Sequence, residues 1–224
     1  GIYDGEGVRD FIDKFAPGGM SRTGPGYLSV IGKAWPVLKV VRVLGPTAAA
    51  ATAALNKTGP TLCLTLGAKY KGASGNTITW TVSNATDGDT NHFNLLVSIS
   101  NAFGTTEDKL ENLNYSGTGA DSTPNFNGFK LLGRITVASA GRPTNGTGSF
   151  STGSDGTVTA TEYVGTQGAQ DKGISLLEQL KNVDFVMTGD PGNSLRAAVN
   201  AGLAAHADFT TDRMSFINGN SGMA

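Results

Sequence analysis

The middle of the chain alternates apolar and polar residues with the two-residue period of β-strands. The alternation is clearest over residues 61–66 and 76–82, and residues 93–100 form a third strand-like run. Asp87-Gly88 separates the second run from the third and favours a tight turn, so we expect these two strands to pair as a hairpin. A further strand is expected within residues 129–137.

Before this region, the pattern predicts one buried strand and one short helix. Residues 37–44 are almost continuously apolar, and Gly45-Pro46 would end that strand. Residues 47–55 are rich in alanine, which is a strong helix former, and Thr47 is a suitable N-cap. We therefore predict an alanine-rich helix that must pack on a neighbouring element, because it is too short to be stable alone.

The hydrophobic period changes in the last third of the chain. Helical spacing predicts helices over residues 173–181 and 194–207, and each helix is followed by a strand-like run, over residues 183–187 and 213–217. This order predicts a parallel α/β unit with a crossover helix. Two strands cannot cover the apolar faces of these helices, and the chain begins at Gly1 without Met, so we expect a fragment that stops inside a domain.

A polar segment joins the two regions. Residues 138–156 are mostly Gly, Ser, Thr and Asn, which predicts a surface loop or linker. Within it, Gly153-Ser154-Asp155-Gly156 is interpreted either as ordinary turn geometry or as a flexible joint. The predicted fold class is α+β. It comprises an N-terminal segment (1–59) with the strand and the alanine-rich helix, a β-sandwich-like domain (60–150) and the start of an α/β domain (151–224).

Charge and cysteine content narrow the classes of partner. The 224 residues include 17 Lys and Arg and 18 Asp and Glu, so the net charge of -1 gives no reason to expect nucleic acid or an anionic membrane. No stretch approaches the ~20 consecutive apolar residues of a membrane-spanning helix. The single cysteine, Cys63, excludes an internal disulfide and lies in an apolar run, where we interpret it as a core residue.

The candidate motifs for phosphate and metal binding are incomplete. Residues 26–33 resemble a phosphate-binding loop, but five residues separate its two glycines where four are required, and Ala34 replaces the Ser or Thr that holds magnesium. His92 and His206 have no second His or Cys at ligand spacing. Asp87-Gly88-Asp89 is similar to part of a calcium loop, but no glutamate follows at the closing position. We predict no cofactor and no metal site.

Two alternatives from other functional classes stay open. A serine hydrolase would bring together a serine, a histidine and an acid, for which Asp184, His206 and Ser215 are the candidates, but no Gly-x-Ser-x-Gly elbow is present. A carbohydrate-binding or adhesin module would display exposed aromatic side chains, for which Trp80 and Tyr115 are the candidates. Trp80 lies in an alternating strand and is expected in the core. We predict no catalytic residues and no enzymatic activity.

Four segments together resemble one protein family, the contractile phage tail sheath proteins and the related sheaths of phage-tail-like injection systems. The four segments are Val40-Val41-Arg42-Val43 with the alanine-rich stretch after it; residues 68–78, from Ala68 through Ser74-Gly75-Asn76-Thr77-Ile78; Phe93-Asn94-Leu95-Leu96-Val97 with Glu107 and Glu111-Asn112-Leu113; and Gly153-Ser154-Asp155-Gly156 with Tyr163-Val164-Gly165, Phe185-Val186-Met187 and Asp190-Pro191-Gly192. The resemblance rests on the order and spacing of these segments over residues 37–220.

The resemblance implies a β-sandwich-like domain followed by a subtilisin-like but non-catalytic α/β domain. It also implies a structural subunit that polymerises helically, as stacked rings, around a tail tube and contracts to drive that tube through the host envelope. Its expected partners are further copies of itself and the tail tube and baseplate proteins. Its expected location is the virion tail, assembled in the host bacterial cytoplasm. The family's C-terminal region and a full N-terminal arm are not evident, so we expect this chain to polymerise less readily than a whole sheath protein.

Overall fold

The computed structural model describes residues 2–5, 38–101, 104–115, 126–181, 183–189 and 191–217. These residues divide into two compact units. We call residues 47–156 the β-unit, and residues 2–5, 38–46 and 157–217 the α/β-unit. The phosphate-loop candidate at residues 26–33 lies outside the described residues.

The described elements are mainly strands. The strands are β1 (Ile2–Gly5), β2 (Leu38–Val41), β3 (Ala50–Asn56), β4 (Leu62–Lys71), β5 (Thr79–Asn84), β6 (Phe93–Asn101), β7 (Gly104–Leu113), β8 (Leu132–Val137), β9 (Gly146–Ser149), β10 (Phe185–Met187) and β11 (Met214–Phe216). The helices are α1 (Ala160–Val164) and α2 (Asn193–Thr210), with 3-10 helices at Ala73–Thr77, Phe126–Gly128 and Gly173–Leu177. This mixture confirms the predicted α+β class.

The first sheet of the β-unit corrects the prediction of an alanine-rich helix over residues 47–55. That segment contains β3, which pairs antiparallel with β4, and β4 pairs antiparallel with β8. Ala51, Ala53 and Leu55 alternate into the core and are all less than 5% exposed. A Cβ added at Gly75 would lie 2.8 Å from the Cβ of Ala51, so the adjoining 3-10 helix packs too closely for a larger residue there. Alanine is present because it is small, and pairing with β4 outweighs its helix propensity.

The second sheet of the β-unit has the order β7-β6-β5-β9, with antiparallel neighbours throughout. The predicted hairpin is confirmed, because β5 and β6 pair in register from Thr79↔Ser98 to Asn84↔Phe93. The prediction of a loop over the whole of residues 138–156 is wrong, because β9 lies within that segment and pairs with β5. The strand β7 was not predicted at all.

Both sheets contribute to one hydrophobic core. Its fully buried side chains include Leu55, Leu64 and Leu66 from the first sheet and Phe93, Leu95 and Ile99 from the second. Because one face of each sheet lies on this shared core, the other faces of the two sheets are directed away from each other.

The end of the β-unit is tied to its first sheet by backbone and side-chain bonds. Ser151 pairs with Thr52 and Ser154 pairs with Ala49 as isolated β-bridges. The amide of Asn76 accepts from the N–H of Gly153 at 2.7 Å and donates to its carbonyl at 2.9 Å, which imitates a strand partner. These two bridges and two side-chain hydrogen bonds anchor residues 151–154 within the β-unit.

The α/β-unit confirms the predicted parallel pair. Strands β10 and β11 are parallel neighbours, and α2 connects them. The helix predicted over residues 173–181 is shorter, because only Gly173–Leu177 is helical and its form is 3-10. Ile174, Leu177, Val186 and Leu203 form the small core of this unit. Among the described residues, no helix is both long and apolar enough to cross a lipid bilayer.

Candidate functional sites

The three residues of the hydrolase alternative do not form a catalytic triad in this structure. The hydroxyl of Ser215 donates a hydrogen bond to the carbonyl of Leu203 in α2 at 2.7 Å, so its proton is directed to the helix backbone and not to a histidine. Neither ring nitrogen of His206 has a hydrogen-bond partner among the described residues. Asp184 is exposed, and its carbonyl accepts from the N–H of Met214. None of these contacts activates a serine nucleophile.

His206 instead belongs to a buried polar cluster of the α/β-unit. Its side chain is 4% exposed, and its Nδ1 lies 4.0 Å from Oε1 of Glu178, which is equally buried. Burial, followed by the nearby positive charge of Arg213, lowers the pKa of His206 to about 4. The imidazole is therefore neutral at pH 7, and a proton on it would be costly to accommodate in the folded state.

Arg213 connects the segment before β11 to the 3-10 helix. Its guanidinium donates to the carbonyls of Leu177 at 2.8 Å and Leu180 at 2.7 Å, and it pairs with Asp212 at 2.7 Å. Both carbonyls lie at or just after the end of the 3-10 helix, where backbone oxygens carry partial negative charge, so a buried arginine stabilises them. Arg213 is thus explained by packing of the α/β-unit.

Two carboxylates order the chain around α1: Glu162 caps its N-terminus, and Asp171 orders the connection between α1 and the 3-10 helix Gly173–Leu177. Glu162 accepts from the hydroxyl of Thr159 at 2.6 Å and from its N–H at 2.9 Å. Asp171 accepts from the N–H groups of Thr166 at 2.9 Å and Lys172 at 2.8 Å. These donors lower the pKa of Glu162 and of Asp171 to about 2. Their partners are close neighbours in sequence, so the low pKa values reflect local capping.

The structure brings His92 together with the acidic turn that precedes it. Nδ1 of His92 lies 2.5 Å from Oδ2 of Asp87, and Nε2 lies 3.1 Å from the amide nitrogen of Asn114. The hydrogen bond from His92 lowers the pKa of Asp87. Both ring nitrogens of His92 therefore have a hydrogen-bond partner within the protein. Within the described ranges, no group of three or more His, Cys, Asp or Glu side chains is arranged to hold a metal ion.

The aromatic candidates of the adhesin alternative do not form an exposed cluster. Tyr115 is 3% exposed, and its ring lies 6.1 Å from that of Phe93 between centroids. Trp80 is half-buried and packs on the shared core. A Cβ added at Gly148 would lie 2.7 Å from the indole ring, so Trp80 also covers the backbone of β9. The predicted core position of Trp80 is confirmed.

Asp108 is a buried polar residue that the sequence analysis missed. It is 4% exposed and accepts from three successive N–H groups, those of Lys130, Leu131 and Leu132, at 2.6–2.8 Å. Three donors satisfy a carboxylate inside a core, and they attach the beginning of β8 to β7. The alternation of β7 could have indicated an inward carboxylate, but nothing in the sequence identifies its partners.

The comparisons with known proteins concern this fold. None of the known protein-family models matches the chain, and no curated protein matches it in sequence. The solved structure of the sheath tail protein from Desulfitobacterium hafniense is similar, with a TM-score of 0.58 and 19% sequence identity. The similarity covers 96% of this chain and 44% of that chain, so this chain spans less than half the length of that protein. The predicted resemblance to tail sheath proteins is therefore supported at the level of the fold.

Proposed function

We propose that this chain is part of a structural subunit of a phage-type tail sheath. The observation that carries the proposal is the match of almost the entire chain, 96% of it, to the fold of a sheath tail protein. Sequence segments spread over residues 37–220 independently resemble the same class of protein. A fold alone does not determine function, but agreement between sequence segments and fold narrows the choice.

In this proposal, the subunits form stacked rings that wind helically around a tail tube. Contraction is a change from one arrangement of subunits to another with more favourable interfaces, and release by the baseplate starts it. Such a transition stores its free energy in the assembled array, so the subunit needs no enzymatic activity and no bound cofactor. The tube is thereby driven through the host envelope.

The two units take different parts in this proposal. The α/β-unit, with its parallel pair β10 and β11, corresponds to the non-catalytic subtilisin-like domain that the resemblance implies. The β-unit, whose two sheets lie on one core, corresponds to the β-sandwich-like domain that the resemblance implies. In this proposal it lies on the outside of the sheath. The partners are further copies of the subunit, the tail tube and the baseplate, and the proposed location is the virion tail after assembly in the host cytoplasm.

Electron microscopy of purified particles labelled with antibodies against this chain tests the location. We expect label along the whole length of the tail, because a sheath subunit repeats around the tube. Label confined to the tail tip would contradict the proposal and would favour the adhesin alternative, which requires a position at the point of host contact. An antibody against the tube protein is the matched control, because intact sheath should mask its epitopes.

A further inference from the structure

The two sheets of the β-unit differ sharply in charge. Residues 50–71 and 126–137, which include β3, β4 and β8, contain no Asp or Glu. Their basic residues are Lys57, Lys69, Lys71, Lys130 and Arg134. The segment that bridges β3 is followed by one carboxylate, Asp155, which accepts from the N–H of Ala73 at 3.0 Å. We call this side of the β-unit the basic face. Lys71 and Arg134 are exposed, so their charges are available to a partner. Lys130 is also exposed but lies beside β7, because its N–H donates to Asp108 at 2.8 Å.

Arg134 has a defined position on the basic face. It pairs with Gly67 across β4 and β8, while the neighbouring Leu66 and Ile135 point into the core. A Cβ added at Gly67 would lie 2.6 Å from both Cγ and Nε of Arg134, so the arginine side chain lies flat across the glycine. An ordered side chain loses less entropy on binding than a freely rotating one.

The outer side of the second sheet is acidic. In β7, Thr106, Asp108 and Leu110 are buried, and the alternating residues between them, Glu107 and Lys109, are exposed. Glu111 follows on the same side and is also exposed. We call this side the acidic face, together with the turn before β6, which adds two exposed carboxylates, Asp87 and Asp89. Its exposed charges are four carboxylates and one lysine, which pairs with Glu111 at 2.7 Å.

The two faces cannot bind each other within one molecule, because the sheets lie on a shared core and their outer sides point in opposite directions. A second copy of the chain can supply the missing face. A contact between two different surfaces of identical subunits leaves both surfaces free at the ends, so it extends into rows of subunits. The overall charge of -1 adds little repulsion between copies.

We propose that the basic face of one β-unit docks on the acidic face of a β-unit in a neighbouring copy of this chain. The proposal rests on the assembly function proposed above and names the partner of this unit within it. The contact is electrostatic and hydrated. It therefore contributes mainly to the orientation and rate of association, and it weakens as salt is added.

Reciprocal charge reversal tests this contact in the full-length protein. Arg134→Glu places a carboxylate on the basic face, which keeps its lysines, and Glu107→Lys places a cation on the acidic face. Each variant should therefore self-associate about three- to tenfold more weakly than wild type. In an equimolar mixture each reversed face meets its complement, and the affinity should return to within about twofold of wild type. Sedimentation velocity at about 50 mM and about 500 mM salt measures the association and its screening.

Controls separate docking from folding and from net charge. Lys71→Glu with Glu111→Lys repeats the exchange without disturbing the contact between Arg134 and Gly67. Lys181→Glu makes the same change of charge on an exposed residue of the α/β-unit and should leave association unchanged. Circular dichroism checks that every variant is folded.

Two results would overturn the proposal: a wild-type protein that is monomeric at both salt concentrations, or a mixture that associates no more tightly than the single variants. The outcome is separable from that of the proposed function. Restored association without any label along tails would leave the contact standing and remove the sheath assignment. Label along tails without restored association would leave the sheath assignment standing and remove the proposed contact between the two faces.

Discussion

His206 illustrates what a single buried residue contributes to this molecule. Its ring is 4% exposed, and the charged groups around it are Glu178 from the segment after the 3-10 helix and Arg213 and Asp212 from the segment before β11. The pKa of His206 is lowered from 6.5 to about 4, chiefly by burial. Between these two values the unfolded chain binds a proton that the folded chain does not, so stability falls as the pH falls.

We therefore predict that the α/β-unit loses stability between pH 6.5 and pH 4, by up to about 3 kcal/mol from this residue. His206→Leu should remove the decline in this window, because leucine does not titrate and the histidine nitrogens give up no hydrogen bond. Urea unfolding at several pH values measures the effect. An equally steep decline in the variant would show that other groups cause it.

Glu162 and Asp171 affect stability in a different pH range from His206. The stabilisation that comes from their lowered pKa values is lost only as the pH falls from about 4 towards 2.

Polar residues in the core mark the limit of sequence prediction at this scale. The burial of Cys63 was predicted from its apolar neighbours, and its thiol is fully buried and donates to the carbonyl of Gly141 at 2.8 Å. The burial of Asp108 and His206 was not predicted, because the groups that surround them are distant in sequence. Periodicity shows which side of an element is apolar, but it does not show which polar group will be enclosed by another element.

The strand β9 shows how an element without apolar residues is held in place. Its residues are Gly146, Thr147, Gly148 and Ser149, and it forms one edge of the second sheet beside β5. The indole of Trp80 lies over Gly148, where an added Cβ would be 2.7 Å from the ring, whereas Gly146 has open space around it. The large side chain of one strand thus compensates for the missing side chain of its neighbour.

The two glycines of β9 provide a matched pair of substitutions. Gly148→Ala should destabilise the β-unit by about 1–3 kcal/mol, because the indole or the strand must shift. Gly146→Ala should be neutral or stabilise by up to about 1 kcal/mol, because its φ is negative, the added methyl meets nothing, and the unfolded chain loses freedom. Urea denaturation followed by tryptophan fluorescence compares them. Equal effects of the two substitutions would refute this account of the packing of Trp80.

At the element scale, sequence prediction succeeded where the pattern was strong and failed where it was ambiguous. The β5–β6 hairpin and the β10–α2–β11 order follow from clear periodicity and a good turn. The segment of β3 was assigned to a helix because alanine fits either side of an element and obscures the period of two. Strand β9 was assigned to a loop because Gly, Thr and Ser carry no apolar signal.

For the whole molecule, we have proposed that this α+β chain is part of a structural subunit that assembles with further copies of itself. The support comes from the fold, which matches a sheath tail protein over 96% of this chain and 44% of the other. The sequence predicted the general succession of a β-region and an α/β region, but the shared core and the oppositely charged faces became visible only in three dimensions.

Electron microscopy of the full-length protein expressed alone tests this claim most directly, and the same protein incubated with tail tube protein is the control for assembly that needs a template. We predict striated hollow tubes or sheath-like rings in at least the templated sample, because repeated contacts between identical subunits form a helical array. Uniform monomers at high concentration, with the tube protein present as well, would contradict the account.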